Sequence, residues 1–315
     1  MGHTDDWLAL GAEKTLEPDL RICDPHHHLW DAGFDPSAKF RTEQVETRYL
    51  FHEMLAEVNS GHNVVSTVFI ECNAMYRKDG PRHLRPVGET EFVNGIAAMS
   101  ASGQYGDSRI AAGIVGLADL NLGADVKEVL EAHIAAGGGR FRGIRHAASW
   151  DASDEIRNSH TRPTEHMMAD ATFREGFAQL APLNMSFEAW CYHPQISEVT
   201  DLARAFPDTT MILNHFGGPM GIGPYAGKRD EILAQWRLDI DELAKCPNVV
   251  AKLGGINMKV NGFDWDLQDK PPSSAELAEA TRAYYDHCIE RFGAERCLFE
   301  SNFPVDKRTC SYNVL

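Results

Sequence analysis

Eight short apolar runs, separated by longer stretches with helical periodicity, follow one another from residue 20 to residue 301 of the 315-residue chain. The runs are Leu20–Asp24, Val64–Glu71, Ile110–Leu117, Phe141–Arg145, Met185–Trp190, Thr210–Asn214, Asn248–Leu253 and Arg296–Ser301. Most are near-continuously apolar, as strands covered on both faces should be. Between them, Tyr49–Asn59, Glu89–Ser102, Ala124–Ala136, Ala169–Ala181, Gln195–Ala205, Lys228–Lys245 and Ser274–Phe292 carry helical patterns. Strands alternating with helices predict a parallel sheet, and the count of eight predicts closure into a (β/α)8 TIM barrel. The rival is a doubly wound open sheet. It usually carries a Gly-rich phosphate loop after its first strand, and here Pro25 and His26 stand there instead. The expected organisation is an N-terminal extension, residues 1–19, and one barrel domain, residues 20–315. Only Asn302–Leu315 follow the last run. The closing helix is therefore expected to be short or missing: either a short turn closes the barrel, or the chain is truncated, which would leave an unprotected apolar seam between the first and last strands.

Long connections follow the first, second, fourth and seventh runs: 29–48, 73–88, 146–169 and 254–273. All lie on the C-terminal side of strands, where a barrel keeps its active site. A hydrophobic content of 43% allows a sizeable core, and 30 basic against 46 acidic residues give a net charge of −16. That charge disfavours nucleic acid and anionic membranes, and an anionic small substrate would need local cations. Seven scattered cysteines form no C-x-x-C pair, which suits reduced thiols in a cytoplasmic protein. No apolar run approaches the ~18 residues of a membrane span. A homo-oligomer is compatible with these features.

The first run leads into Asp24-Pro25-His26-His27-His28-Leu29-Trp30-Asp31. Alternation in a strand puts Asp24, His26 and His28 on one face and Pro25 and His27 on the other. Two imidazoles on one face suit a divalent metal, or a polarised carbonyl and a water. His193 follows the fifth run, beside Tyr192, and His215 closes the sixth. A barrel gathers such strand ends around one axis. The eighth run ends in Phe299-Glu300-Ser301-Asn302, with Asp306 four residues beyond. Water activation wants a carboxylate here, and Asn302 cannot accept a proton at neutral pH. Glu300, Asp306, Glu71 and Glu188 are all candidate bases. Arg145 is a candidate clamp for a substrate carboxylate, and Lys252 is similarly placed. The alternative for both cations is an interior ion pair with Glu71 or Glu188. Signatures of a serine-hydrolase elbow, a P-loop or a dinucleotide site are lacking.

Together, D-P-H-H-H-L-W-D, G-I-R-H, Y-H-P-Q, L-N-H-F-G-G-P and L-F-E-S-N-F-P-V-D-K resemble the amidohydrolase-related (amidohydrolase 2) branch of the amidohydrolase superfamily. That branch includes 2-pyrone-4,6-dicarboxylate lactonase and related lactonases. The resemblance implies a (β/α)8 barrel hydrolase that opens a lactone or similar cyclic ester of an organic acid by water attack. It implies catalytic roles among His26, His28, His193, His215, Glu300, Asn302 and Asp306. Substrate contacts would come from Arg145, Lys252, Glu71 and Tyr192. If one divalent metal (Zn or Mn) is bound, His26, His28, His193 and His215 would hold it; some lactonases of this branch work without metal. In the superfamily the last strand ends in an aspartate, a place that falls on Asn302. Two alternatives accompany this reading: a metal-dependent decarboxylase or hydratase of the same barrel family, and a non-catalytic member.

Overall fold

The computed structural model describes residues 5–31 and 48–315. A short helix α1 (Asp5–Ala9) precedes β1 (Arg21–His27). Two short strands, β2 (Trp30–Asp31) and β3 (Arg48–Tyr49), pair antiparallel beside it. The repeating unit then begins, with α2 (Phe51–Val58), β4 (Asn63–Ile70), α3 (Val87–Ala101), β5 (Arg109–Gly116), α4 (Val126–Ala136) and β6 (Phe141–Ile144). It continues through α5 (Ala171–Phe177), β7 (Ser186–Ala189), α6 (Ile196–Ala205), β8 (Met211–Leu213), α7 (Arg229–Leu243), β9 (Val249–Leu253), α8 (Ser274–Phe292) and β10 (Cys297–Phe299). Each of the eight predicted strands is present, within a few residues of its expected bounds. Of the connection 29–48, residues 32–47 lie outside the described residues.

Eight strands form one parallel sheet in the order β1-β4-β5-β6-β7-β8-β9-β10, so neighbours in space are neighbours in the repeat. The helices cover the outside, as in a (β/α)8 barrel. Phe69, Ile114, Phe187, Leu213 and Ala251 belong to one buried cluster with Val93, Val129, Phe177, Leu202, Trp236 and Tyr284 from the helices. Local signals set the helix starts. Ser273 and Glu276 exchange hydrogen bonds as a capping box before α8, and Asp170 accepts from Thr172 N and Phe173 N before α5.

Closure is achieved differently from the other seven strand contacts. Past the end of β10, Asn302 N donates to His26 O (2.9 Å) and His28 N donates to Phe303 O (2.8 Å). Among the described residues no α-helix follows β10, only the 3-10 turn Asp306–Arg308. The tail instead packs the Tyr312 ring edge-on against Phe303. Leu16, Leu20 and Phe299 remain exposed and line one cavity together. No described helix is long and apolar enough to cross a membrane, and all seven cysteines are free.

Candidate active site

At the C-terminal ends of β1, β8 and β10, one buried carboxylate meets two imidazoles. Glu300 Oε1 lies 2.8 Å from His215 Nδ1, and Glu300 Oε2 lies 2.8 Å from His26 Nδ1. His215 N also donates to Glu300 Oε1, at 3.2 Å. The hydrogen bond to Glu300 favours the proton on His215 Nδ1, which leaves His215 Nε2 as a lone-pair acceptor. The two rings lie 4.5 Å apart, centroid to centroid. Two glycines make this arrangement fit. A Cβ on Gly254 would stand 2.5 Å from Glu300 Cγ, and one on Gly255 (φ +66°) would stand 2.0 Å from His215 Nδ1. His215 and Asn302 themselves hold left-handed φ values, 51° and 55°. Such conformations cost a non-glycine residue on the order of 1–3 kcal/mol and cluster at functional sites.

Two ion pairs flank the core. Lys252 Nζ lies 2.8 Å from Glu188 Oε2 and 3.4 Å from His26 Nδ1, and it donates to Pro25 O at 2.9 Å. Arg145 donates through Nε to Glu71 Oε1 (2.8 Å) and through Nη2 to the Glu71 carbonyl, and its Nη1 faces His26 Nε2 at 3.4 Å. Both cations thus form the interior ion pairs weighed as the alternative to a substrate clamp. His160 Nε2 stands 3.1 Å from the other Glu71 oxygen. Against the upward push of burial, His160 and Arg145 hold the Glu71 carboxyl well below the usual range. Burial, then the charge of Lys252 and the neighbouring imidazoles and Arg145, pushes the His26 pKa well down, so the ring is neutral. His28 is likewise pushed down by burial and then Arg145.

His28 forms the adjoining corner. Its Nδ1 lies 2.8 Å from Ile70 O, which requires a proton on that nitrogen, and leaves Nε2 as an acceptor. The Asn302 carboxamide bridges His28 Nε2 and Asp306 Oδ1, 3.3 Å from each. Asp306 is fully buried, and burial, then the Glu300 charge, raises its pKa well above the carboxylate range. In this bridge Asn302 Nδ2 donates to Asp306 Oδ1, and Asn302 Oδ1 faces His28 Nε2.

Three expected members stand elsewhere. Asp24 meets His26 through the His26 backbone, whose N–H donates to Asp24 Oδ1 at 3.2 Å, and not through the ring. A register irregularity between Asp24 and His27 breaks strict alternation, and its carboxylate accepts from Ser301 N, Ser301 Oγ and Tyr312 OH. His193 opens a 3-10 turn, and its Nδ1 accepts from Met220 N at 3.3 Å; burial lowers its pKa to about 4. Tyr192 donates to Arg157 O and lines a cavity of about 680 Å³ with Arg145, His160, Trp190, Lys259 and Arg308. His160 escaped the sequence reading, because its long connection carries no periodicity. The only sequence signal for Gly254-Gly255 was the start of a long loop.

The family model described as Amidohydrolase (Amidohydro_2) matches residues 23–314. The chain belongs to the amidohydrolase family. A Sinorhizobium fredii protein designated y4mH is 31% identical over 308 residues, covering 94% of this chain and 89% of the relative. An L-fucono-1,5-lactonase of Burkholderia multivorans is 27% identical over 225 residues, covering 71% of this chain and 66% of that enzyme. Among solved structures, an amidohydrolase from Burkholderia multivorans with bound Zn superposes with a TM-score of 0.66 at 24% identity, covering 93% of this chain and 88% of that one.

For an amidohydrolase-family chain the donor chemistry of the core is relevant. One ligand atom each from His26, His215 and Glu300 lies within 4.8 Å of the others. Two imidazole nitrogens and a carboxylate oxygen suit zinc or a similar divalent ion.

Proposed function

We propose that this chain hydrolyses a lactone or similar cyclic ester of a small organic acid, with water as the nucleophile. The observation that carries this reading is the Glu300 carboxylate between His26 and His215, with Arg145 against His26 and also on the wall of a polar cavity that holds Lys259, Asp154 and Glu155. The likeness to curated lactonases supports the same reaction class.

His215 takes the proton from water on Nε2, and Glu300 stabilises the imidazolium that results. Asp306 takes no such role, because its Oδ1 accepts from Asn302 Nδ2 and burial, then the Glu300 charge, raises its pKa. Arg145 has committed Nε and Nη2 to Glu71, so Nη1 is the group it offers. With Nε and Nη2 held by Glu71 and Nη1 against His26 Nε2, Arg145 suits polarising an oxyanion at the edge of His26 better than a forked grip on a carboxylate. Anchoring an acidic group then falls to the cavity wall, where Lys259 is placed. The His215 imidazolium finally returns its proton to the departing ring oxygen. When a divalent ion such as zinc or manganese is bound, His26, His215 and Glu300 are the residues to hold it, and it supplies Lewis-acid polarisation and a more acidic water. The seven free cysteines support a reducing, cytoplasmic location.

A panel of acidic and neutral lactones, assayed with and without chelator, tests the reading. Arg145→Met should lower kcat about 100-fold on both kinds of lactone, the size of losing one oxyanion donor. Lys259→Met should raise KM for acidic lactones alone. Release of carbon dioxide from an aromatic acid, with no lactone opened, would replace hydrolysis with the lyase alternative.

A further inference from the structure

The cavity of about 680 Å³ beside the reaction centre has two unlike sides. The connection after β6 supplies a polar side, with Asp154, Glu155, Asn158 and His160. The opposite residues come from the connections after β7, β8, β9 and β10, which bring Trp190, Ile222, Met258, Val260 and Val305. Lys259 and Arg308 interrupt this apolar side, and Arg308 is paired with Asp266 at 2.8 Å. All five apolar residues are half-buried, so each keeps some surface uncovered where it lines the cavity. Trp190, Ile222 and Val260 also pack on buried Ile156, Tyr192 and Met220, in a small apolar cluster separate from the barrel core.

Trp190 joins this apolar side to the proposed base. It directly follows β7, and its ring stands 4.8 Å from that of His215, centroid to centroid, at 81°. Tyr192 meets the same indole at 5.7 Å and 74°. Gly218 (φ +56°) leaves room for it, since a Cβ there would stand 3.1 Å from Trp190 Cζ3. Aromatic and aliphatic surface left open in a concave site takes up apolar ligand surface, and the release of water drives the contact. A hydroxyl set against Ile222, Val260 or Val305 would instead lose water and gain no partner.

We propose that this side of the cavity is a subsite for an apolar portion of the substrate, with Trp190 as its stacking platform. The subsite rests on the hydrolytic reading and narrows its substrate class to a lactone that bears an aryl or alkyl group, in place of a polyhydroxylated one. The lactone carbonyl then lies toward His215 and Arg145, while the apolar group leaves water for the indole and its aliphatic neighbours.

Two measurements on the full chain test it. The first is kcat/KM for δ-valerolactone, for 3-isochromanone with its fused benzene ring, and for gluconolactone with its hydroxyls. Isochromanone should exceed both others about tenfold or more, the size of a matched apolar contact. Trp190→Ala should cut its advantage over δ-valerolactone about tenfold, chiefly through KM, and Trp190→Phe should restore most of it. Val260→Asn, which keeps the indole, should reduce the same ratio about threefold or more. The ratio cancels any general disturbance of His215. Equal losses on all three lactones, or faster turnover of gluconolactone, would overturn the proposal. The second measurement is calorimetric binding of 3-phenylpropionate and gluconate, which needs no turnover. Phenylpropionate should bind about tenfold or more tightly than gluconate, and Trp190→Ala should remove the difference; equal or reversed affinities in the parent also overturn the subsite. Phenylpropionate binding without lactone turnover would sink only the hydrolytic reading, and turnover without apolar preference only this one.

Discussion

Each oxygen of Glu300 stands 2.8 Å from one imidazole Nδ1, but only the His215 contact is a hydrogen bond, so the carboxylate fixes the His215 tautomer and lies within ion-pair distance of His26. A carboxamide cannot repeat this, because its nitrogen side would confront one Nδ1–H with another N–H. Glu300→Gln should therefore lower kcat by about 10²–10⁴-fold, the range for losing a positioned acid–base group. Steady-state kinetics beside a melting curve checks it, and unchanged turnover would remove Glu300 from the chemistry. His193 shows what residue type alone conveys. It shares a strand-end position and a following 3-10 turn with His215, yet its Nδ1 is spent on Met220 N instead of a carboxylate.

At the scale of elements, the seam between β1 and β10 carries the most consequence. Buried Asp24 joins the two sides through Ser301 and Tyr312. Removing the phenol oxygen in Tyr312→Phe leaves one carboxylate oxygen with fewer donors, at a cost of about 1–3 kcal/mol. Urea unfolding should show that loss, and amide exchange at His28 and Asn302 should quicken; no change in either would mean the tail does not secure the seam. The strands themselves were readable, because runs such as Val64–Glu71 and Ile110–Leu117 are apolar on both faces. Pairings across the barrel were less so. Arg145 with Glu71 and Lys252 with Glu188 were foreseen only as an alternative, since strand order and tilt decide which interior charges meet. His160 and the cavity it lines depend on loop paths, which apolar periodicity does not encode.

For the molecule as a whole, buried titratable groups shape the response to pH. Burial, then the Glu71 charge, raises Glu89 from its ordinary 4.5 to about 8. Between those values the folded state keeps a proton that the unfolded chain has released, so stability falls as pH rises through that window. Buried His26, His27 and His28 act oppositely. Their folded pKa values lie below 6.5, so stability falls as pH drops beneath that value. Glu89→Gln should flatten the decline from pH 6.5 to 8 and spare the acid limb, as read from Tm across a pH series; an unaltered alkaline decline would place its cause elsewhere.

The two hydrogen bonds that shut the barrel run through backbone atoms of His26, His28, Asn302 and Phe303. The hinge of the vessel and its reaction floor are thus the same short stretches of chain. Reshaping that floor to admit a bulkier substrate loosens the wall that holds it. A ligand gripping both lips staples the ring shut. Catalytic versatility in this chain is accordingly tethered to mechanical integrity, and variation is better tolerated in the outer loops than at the strand tips.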